Sequence, residues 1–186
     1  MRARNAGGKC AANRRARNFL CKQKTEANPH RRRSMNLILW RHAEAEDQAS
    51  SDLARQLTPR GRKQAQGVAK WLKARVDDDA IFLASPATRT IHTAEAFGDL
   101  YSVVDALAPG NDARAVLDAA GWPDGIGETV VVIGHQPTLG RVAALLMTGH
   151  ETEWSVKKSG IWWFQSRTRG GDGQTVLRAV MSPDLL

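Results

Sequence analysis

The sequence predicts an α/β protein, a three-layer α/β/α sandwich with a mostly parallel central sheet carrying an antiparallel C-terminal strand. Three observations lead there. Short apolar runs at 37–40, 80–84 and 129–133 alternate with stretches whose apolar residues recur at three- and four-residue spacing, the pattern of buried strands alternating with helices that builds a parallel sheet. Each run ends abruptly in polar or cationic residues, Arg41-His42, Ser85-Pro86 and Gly134-His135; strands that deliver side chains to the crevice of an open sheet end this way. Finally, 159–165 and 175–180 flank the turn Arg169-Gly170-Gly171-Asp172-Gly173, a hairpin that makes at least one strand antiparallel.

The first strand, Leu37-Ile38-Leu39-Trp40, runs into Arg41-His42. Arginine offers a fixed fork of donors suited to phosphate or carboxylate, and histidine can be neutral and nucleophilic near pH 7. The plain alternative is a strand that merely ends in polar residues. Residues 44–56 read as a loop over the strand end, carrying Arg55. Thr58 is placed to cap a helix and Pro59 to occupy its first turn. Ala65, Val68, Ala69, Leu72 and Val76 give that helix one apolar face up to the Asp77-Asp78-Asp79 break, with Trp71 packing beside it.

The second strand, 80–84, leads into Ser85-Pro86-Ala87-Thr88-Arg89. Helix onset near Pro86 puts Arg89 in the first turn, its guanidinium near free backbone N–H groups where anions bind. The alternative is a solvated helix charge, and His92 and Glu95 read as surface or packing residues. A third strand is expected over 101–107, then a turn at 108–112 and a helix over 113–120 capped by Asn111 or Asp112. A Gly- and Pro-punctuated loop at 121–128 precedes the clearest strand, Thr129-Val130-Val131-Val132-Ile133. It ends at Gly134-His135-Gln136-Pro137, and a helix follows over 138–147. Trp162 and Trp163 suit the two faces of the closing hairpin. Because C-terminal strand ends share one crevice, Arg41, His42, Arg89 and His135 are expected to converge.

Charge is distributed unevenly. Residues 1–33 hold 11 Lys and Arg against one acid, Glu26, a net charge of +10; of the chain's 27 basic and 19 acidic residues, the remainder keeps 16 and 18, a net of −2. With few large apolar residues and no period, 1–33 reads as a disordered basic extension. It lacks the apolar stretch of a secretory signal. A nucleic-acid or anionic-surface tail, an Arg-rich presequence and a start codon placed too early compete to explain it, and the last is preferred because Met35 stands directly before the first strand. Both cysteines, Cys10 and Cys21, lie in this stretch, so the body, 35–186, uses neither disulfide nor thiol chemistry and a reducing cytoplasm is expected. No apolar run is long enough to span a membrane.

With these stretches assembled, the chain resembles the histidine phosphatase superfamily, the phosphoglycerate-mutase-like group, and most of all its small SixA-type phosphohistidine phosphatases. The resemblance covers residues 35 to about 183: Arg41-His42, Leu57-Thr58 with Gly61, Ser85-Pro86 with Arg89 and Thr93-Ala94, Gly134-His135-Gln136-Pro137, and Met181-Ser182-Pro183. Ala43 departs from the Gly usual after the Arg-His pair. The resemblance implies that His42 is a nucleophile that becomes phosphorylated, that Arg41, Arg89 and His135 bind the phosphoryl oxygens, that Arg55 reaches the phosphate from its loop, and that no metal or other cofactor is required.

A counterpart to the glutamate acid of larger relatives is not evident; Asp112, Asp105 and Glu44 are the candidates weighed. A phosphohistidine leaving group is easily protonated, so a protein carrying phosphohistidine is the expected substrate and a small phosphomonoester its competitor. Two readings from other classes stand beside these: an inactive phosphate-binding module, and a nucleic-acid-associated protein acting through 1–33. A monomer is expected.

Overall fold

The computed structural model describes residues 34–186, and the readings placed on 1–33 lie outside the described residues. The elements run β1 (Asn36–Arg41), α1 (Pro59–Lys73), β2 (Ile81–Ala84), α2 (Thr88–Glu95), β3 (Ser102–Val103), α3 (Ala113–Ala120), β4 (Thr129–Gly134), α4 (Thr138–Thr148), β5 (Ile161–Arg169) and β6 (Asp172–Met181). Single 3-10 turns stand at Asp52–Ala54, Asp105–Leu107 and Pro183–Leu185. The six strands form one sheet in the order β3-β2-β4-β1-β5-β6. β1, β2, β3 and β4 pair in parallel, and β5 runs antiparallel to both β1 and β6.

Alternation along the central strands sends side chains to two separate cores. Leu37, Leu39, Val130 and Val132 face α3 and α4, packing with Val116, Leu117, Leu139 and Val142. Ile38, Trp40, Val131 and Ile133 face the other way, toward Ala65, Val68 and Leu72 of α1 and Ala94 of α2. With helices on both faces, every residue of β4 is buried, which is why it reads as an unbroken apolar run rather than an alternating one.

Local signals set the helix ends. Thr58 Oγ1 accepts from the Gly61 N–H at 2.9 Å to open α1, and Asp112 Oδ1 accepts from the Ala115 N–H at 2.7 Å to open α3. Three elements differ from expectation. α1 stops at Lys73, short of Val76, which packs half-buried beyond the helix. The third strand shrinks to Ser102–Val103, an exposed edge paired to β2 alone, and the chain then winds into a 3-10 turn that buries Leu107. The hairpin strands are longer than their apolar cores because Gly170 and Gly171, at φ 62° and 97°, close it in two residues, the conformation a tight hairpin requires.

Register is what the site depends on. Arg41 pairs with Gly134 and Ala84 with Ile133. His42 and His135 therefore leave adjacent strands side by side, with Ser85 on the third strand one residue behind, level with Gly134. Backbone hydrogen bonds hold the exit: His42 N–H donates to Gly134 O at 3.0 Å and Ser85 N–H to Ile133 O at 3.1 Å.

Candidate active site

His42 is 8% exposed. Its main chain is pinned twice, by the bond to Gly134 and by the Ser159 N–H, which donates to His42 O at 3.1 Å. Its Nδ1 lies 2.8 Å from Ala43 O. A carbonyl only accepts, so Nδ1 carries the proton and the neutral ring keeps its lone pair on Nε2. Burial pushes the pKa down to about 4; the guanidiniums of Arg89, Arg41 and Arg55 reinforce this against the Ala43 hydrogen bond. At neutral pH the ring is uncharged.

The His135 ring lies with its centroid 5.3 Å from that of His42. Burial, then Arg89, pushes its pKa down to about 3. His135 Nε2 is 2.7 Å from Ser85 Oγ, and Ser85 is wholly buried. A Ser85 hydroxyl that donates here leaves the ring proton on Nδ1, which is buried and has no hydrogen-bond partner among the described residues.

The guanidiniums are anchored by their outer nitrogens. Arg41 Nη1 donates to Val156 O at 2.7 Å. Arg89, in the first turn of α2 and only 4% exposed, donates from Nη1 to Asp52 O at 2.6 Å and from Nη2 to Asp52 Oδ2 at 2.9 Å. Its guanidinium is thus engaged by a carboxylate and a carbonyl of the loop. The Nε atoms of Arg41 and Arg89 are buried and without partners. Arg41 Nε, Arg89 Nε and His135 Nδ1 are three such atoms, on side chains that neighbour His42. Buried donors are normally paired, so a cluster of unpaired ones on anchored side chains has the character of a preorganised anion cradle.

The four residues expected to converge therefore do so. Arg55 is also near enough to lower the His42 pKa, but its guanidinium is engaged in the loop: Nε donates to Glu46 O at 2.6 Å and Nη1 to Asp52 Oδ1 at 3.1 Å, with Asp47 at 3.7 Å. Of the carboxylates weighed as acids, Asp112 caps α3, Asp105 sits in the 3-10 turn after the edge strand, and Glu44 accepts from Thr58 Oγ1 with Arg60 and Lys158 nearby. Asp52 is a functional neighbour that the sequence marks only by its position three residues before Arg55, with which it pairs; its pair with Arg89 has no local signal. Nothing in the local sequence around Ser85 marks it as the partner of His135 Nε2. Among the described residues, no group of three or more His, Cys, Asp or Glu is arranged to hold a metal ion, and no helix is long and apolar enough to cross a membrane.

Paired imidazoles at two adjacent strand ends, beside the guanidiniums of Arg41 and of Arg89 at the start of α2, make an α/β site suited to phosphoryl groups. The chain belongs to the histidine phosphatase superfamily, whose branch 1 model matches residues 37–107. It is 32% identical over 127 residues to the phosphohistidine phosphatase SixA homolog of Haemophilus influenzae, covering 60% of this chain and 77% of that protein. Over 124 residues it is 32% identical to phosphohistidine phosphatase SixA of Escherichia coli K12, covering 62% and 76%. The structure of the protein histidine phosphatase SixA complexed with tungstate superimposes with a TM-score of 0.68 at 30% identity, over 81% of this chain and 99% of that one.

Proposed function

We propose that the protein is a phosphatase that removes the phosphoryl group from phosphohistidine on a protein, through a covalent intermediate on His42. Nε2 of His42 attacks phosphorus; the new N–P bond forms as the substrate's P–N bond breaks, and the substrate imidazole, protonated beforehand on its other ring nitrogen, leaves as a neutral ring with no further proton required. Water then attacks the phosphorylated His42, releasing inorganic phosphate and restoring the neutral ring. Arg41 Nε, Arg89 Nε and His135 Nδ1 donate to the equatorial phosphoryl oxygens, where charge concentrates in the transition state.

The observation that carries this reading is the His42 ring itself, uncharged, with its proton held on Nδ1 by Ala43 O. Choice of leaving group follows from the neighbours. Asp52, the carboxylate in contact with the cationic cluster, is held below the usual carboxylate range, first by its hydrogen bond from Arg89. Both imidazoles are neutral at pH 7. None of these groups is a ready proton donor, which disfavours an alkoxide leaving group and suits an imidazole that arrives carrying its own proton. The activity named for the relatives above supports the same substrate class.

The test offers a phosphohistidine-bearing protein and small alkyl phosphomonoesters in parallel and quenches early in turnover. A base-stable, acid-labile phosphate on His42 and a larger kcat/KM for the phosphohistidine protein are expected. A preference for alkyl phosphates would reassign the substrate, and equal inertness of wild type and His42→Ala would leave only an anion-binding module.

A further inference from the structure

The Asp52 carboxylate stands between two guanidiniums. Oδ2 accepts from Arg89 Nη2 at 2.9 Å and Oδ1 from Arg55 Nη1 at 3.1 Å. The main-chain oxygen of the same residue accepts from Arg89 Nη1 at 2.6 Å. One residue therefore grips both terminal nitrogens of Arg89 and fixes the plane of its guanidinium. It does so from the exposed side: the Asp52 side chain is 56% accessible while that of Arg89 is 5%. Asp52 engages two of the five guanidinium N–H donors of Arg89, and the buried Nε–H is one it leaves without a partner. The 3-10 turn Asp52–Ala54 presents both oxygens together, its first carbonyl receiving Arg55 N–H as well as Arg89.

We propose that Asp52 is a positioning residue for phosphoryl binding: it locks Arg89 with Nε directed at the phosphoryl group and ties Arg55 to the same anchor. The proposal rests on the function proposed above and extends it to a residue in the loop after β1. Its physical basis is preorganisation. A guanidinium held on two nitrogens by one residue loses less freedom when the anion arrives than a loose one, which must be ordered during the reaction. The carboxylate also offsets part of the cluster's charge, so two arginines can share one crevice without driving each other apart. The opposite role, a carboxylate that occupies the anion site and must be displaced, predicts the reverse result on removal.

The experiment compares wild type with Asp52→Ala and Asp52→Asn using tungstate binding by calorimetry, steady-state turnover of phosphoimidazole and p-nitrophenyl phosphate, and the 15N-detected Nε–H signal of Arg89. For Asp52→Ala we expect weaker tungstate binding, a fall of about a hundredfold in kcat/KM carried more by kcat than by KM, and loss of the Arg89 Nε–H signal while the His42 Nδ1–H signal persists. Asp52→Asn, which keeps the acceptor but not the charge, recovers part of each. Tungstate binding as tight as wild type or tighter in Asp52→Ala, with kcat preserved, overturns the proposal. Should Asp52→Ala fail to fold, the same readouts on Asp52→Asn decide. If the wild type turns over neither compound, the functional reading falls, but tungstate affinity and the Arg89 signal still judge the role of Asp52.

Discussion

His42 and His135 face one another with ring centroids 5.3 Å apart and planes tilted by 52°, although they leave different strands. The pairing of Arg41 with Gly134 across β1 and β4 produces the relationship. Two neutral imidazoles at this distance among three guanidiniums are stable because burial and the surrounding positive charge both disfavour protonation.

On the proposed mechanism, replacing His42 removes the nucleophile and with it the covalent route. His42→Ala is expected to lower kcat on a phosphohistidine protein by at least about 10³-fold and to abolish labelling by a phosphorylated substrate. Quench-flow with mass spectrometry checks this; an undiminished phosphoenzyme in the variant would place the nucleophile elsewhere.

On the proposed mechanism, His135 acts on charge rather than by attack. Removing one preorganised donor costs about 10²–10³-fold in kcat, so His135→Ala should fall in that range while still forming a slow phosphoenzyme on His42. Single-turnover kinetics separate the two effects, and a loss confined to KM would argue against transition-state donation.

Acid should destabilise the fold earlier than ordinary histidines suggest. With folded pKa values of about 4 and 3 for His42 and His135, the unfolded chain, titrating near 6.5, binds more protons as pH drops below that value. The stability these groups contribute is complete above about pH 6.5 and is lost as pH falls toward 4, on the order of 3 kcal/mol for His42 alone. Urea midpoints at pH 7.5 and 4.5 measure it, and His42→Gln should flatten the slope. The kcat/KM limb governed by a neutral His42 should likewise turn down near pH 4 rather than near 6.5.

Gly61 is where α1 approaches the strand exit most closely. A Cβ there would lie 1.9 Å from Glu44 O and 2.8 Å from Glu44 C, backbone atoms two residues beyond His42. Gly61→Ala should destabilise by about 2–3 kcal/mol and disturb turnover by pushing on the 43–46 segment. Denaturant unfolding with parallel kinetics tests this; a fully stable and active variant would mean that the helix start shifts freely.

The cap that begins the same helix makes a smaller contribution. Thr58→Ala loses the Gly61 N–H acceptor and the donor to Glu44 Oε1 and should cost about 1 kcal/mol. Thr58→Ser should recover most of it, as thermal melts would show.

What was legible without coordinates was whatever depends on near neighbours in the chain. Thr58-Pro59 marks a helix start because an orphan N–H needs a nearby oxygen, and Asp112 does the same for α3. The apolar run of β4 reads as a doubly covered strand, and Arg41-His42, Arg89 and Gly134-His135 stand at element ends where side chains meet a crevice. Tertiary structure alone decided what those side chains do with their other atoms. Arg41 is held by Val156 O, His135 lies against Ser85 Oγ, and Arg89 and Arg55 are joined through Asp52. Periodicity carries no trace of these contacts, because each depends on strand register and on how a polar loop closes over the sheet. Both are set by the sum of packing across two cores. Sequence by itself determined which groups reach the crevice; the fold decided which of their nitrogens remain free to bind.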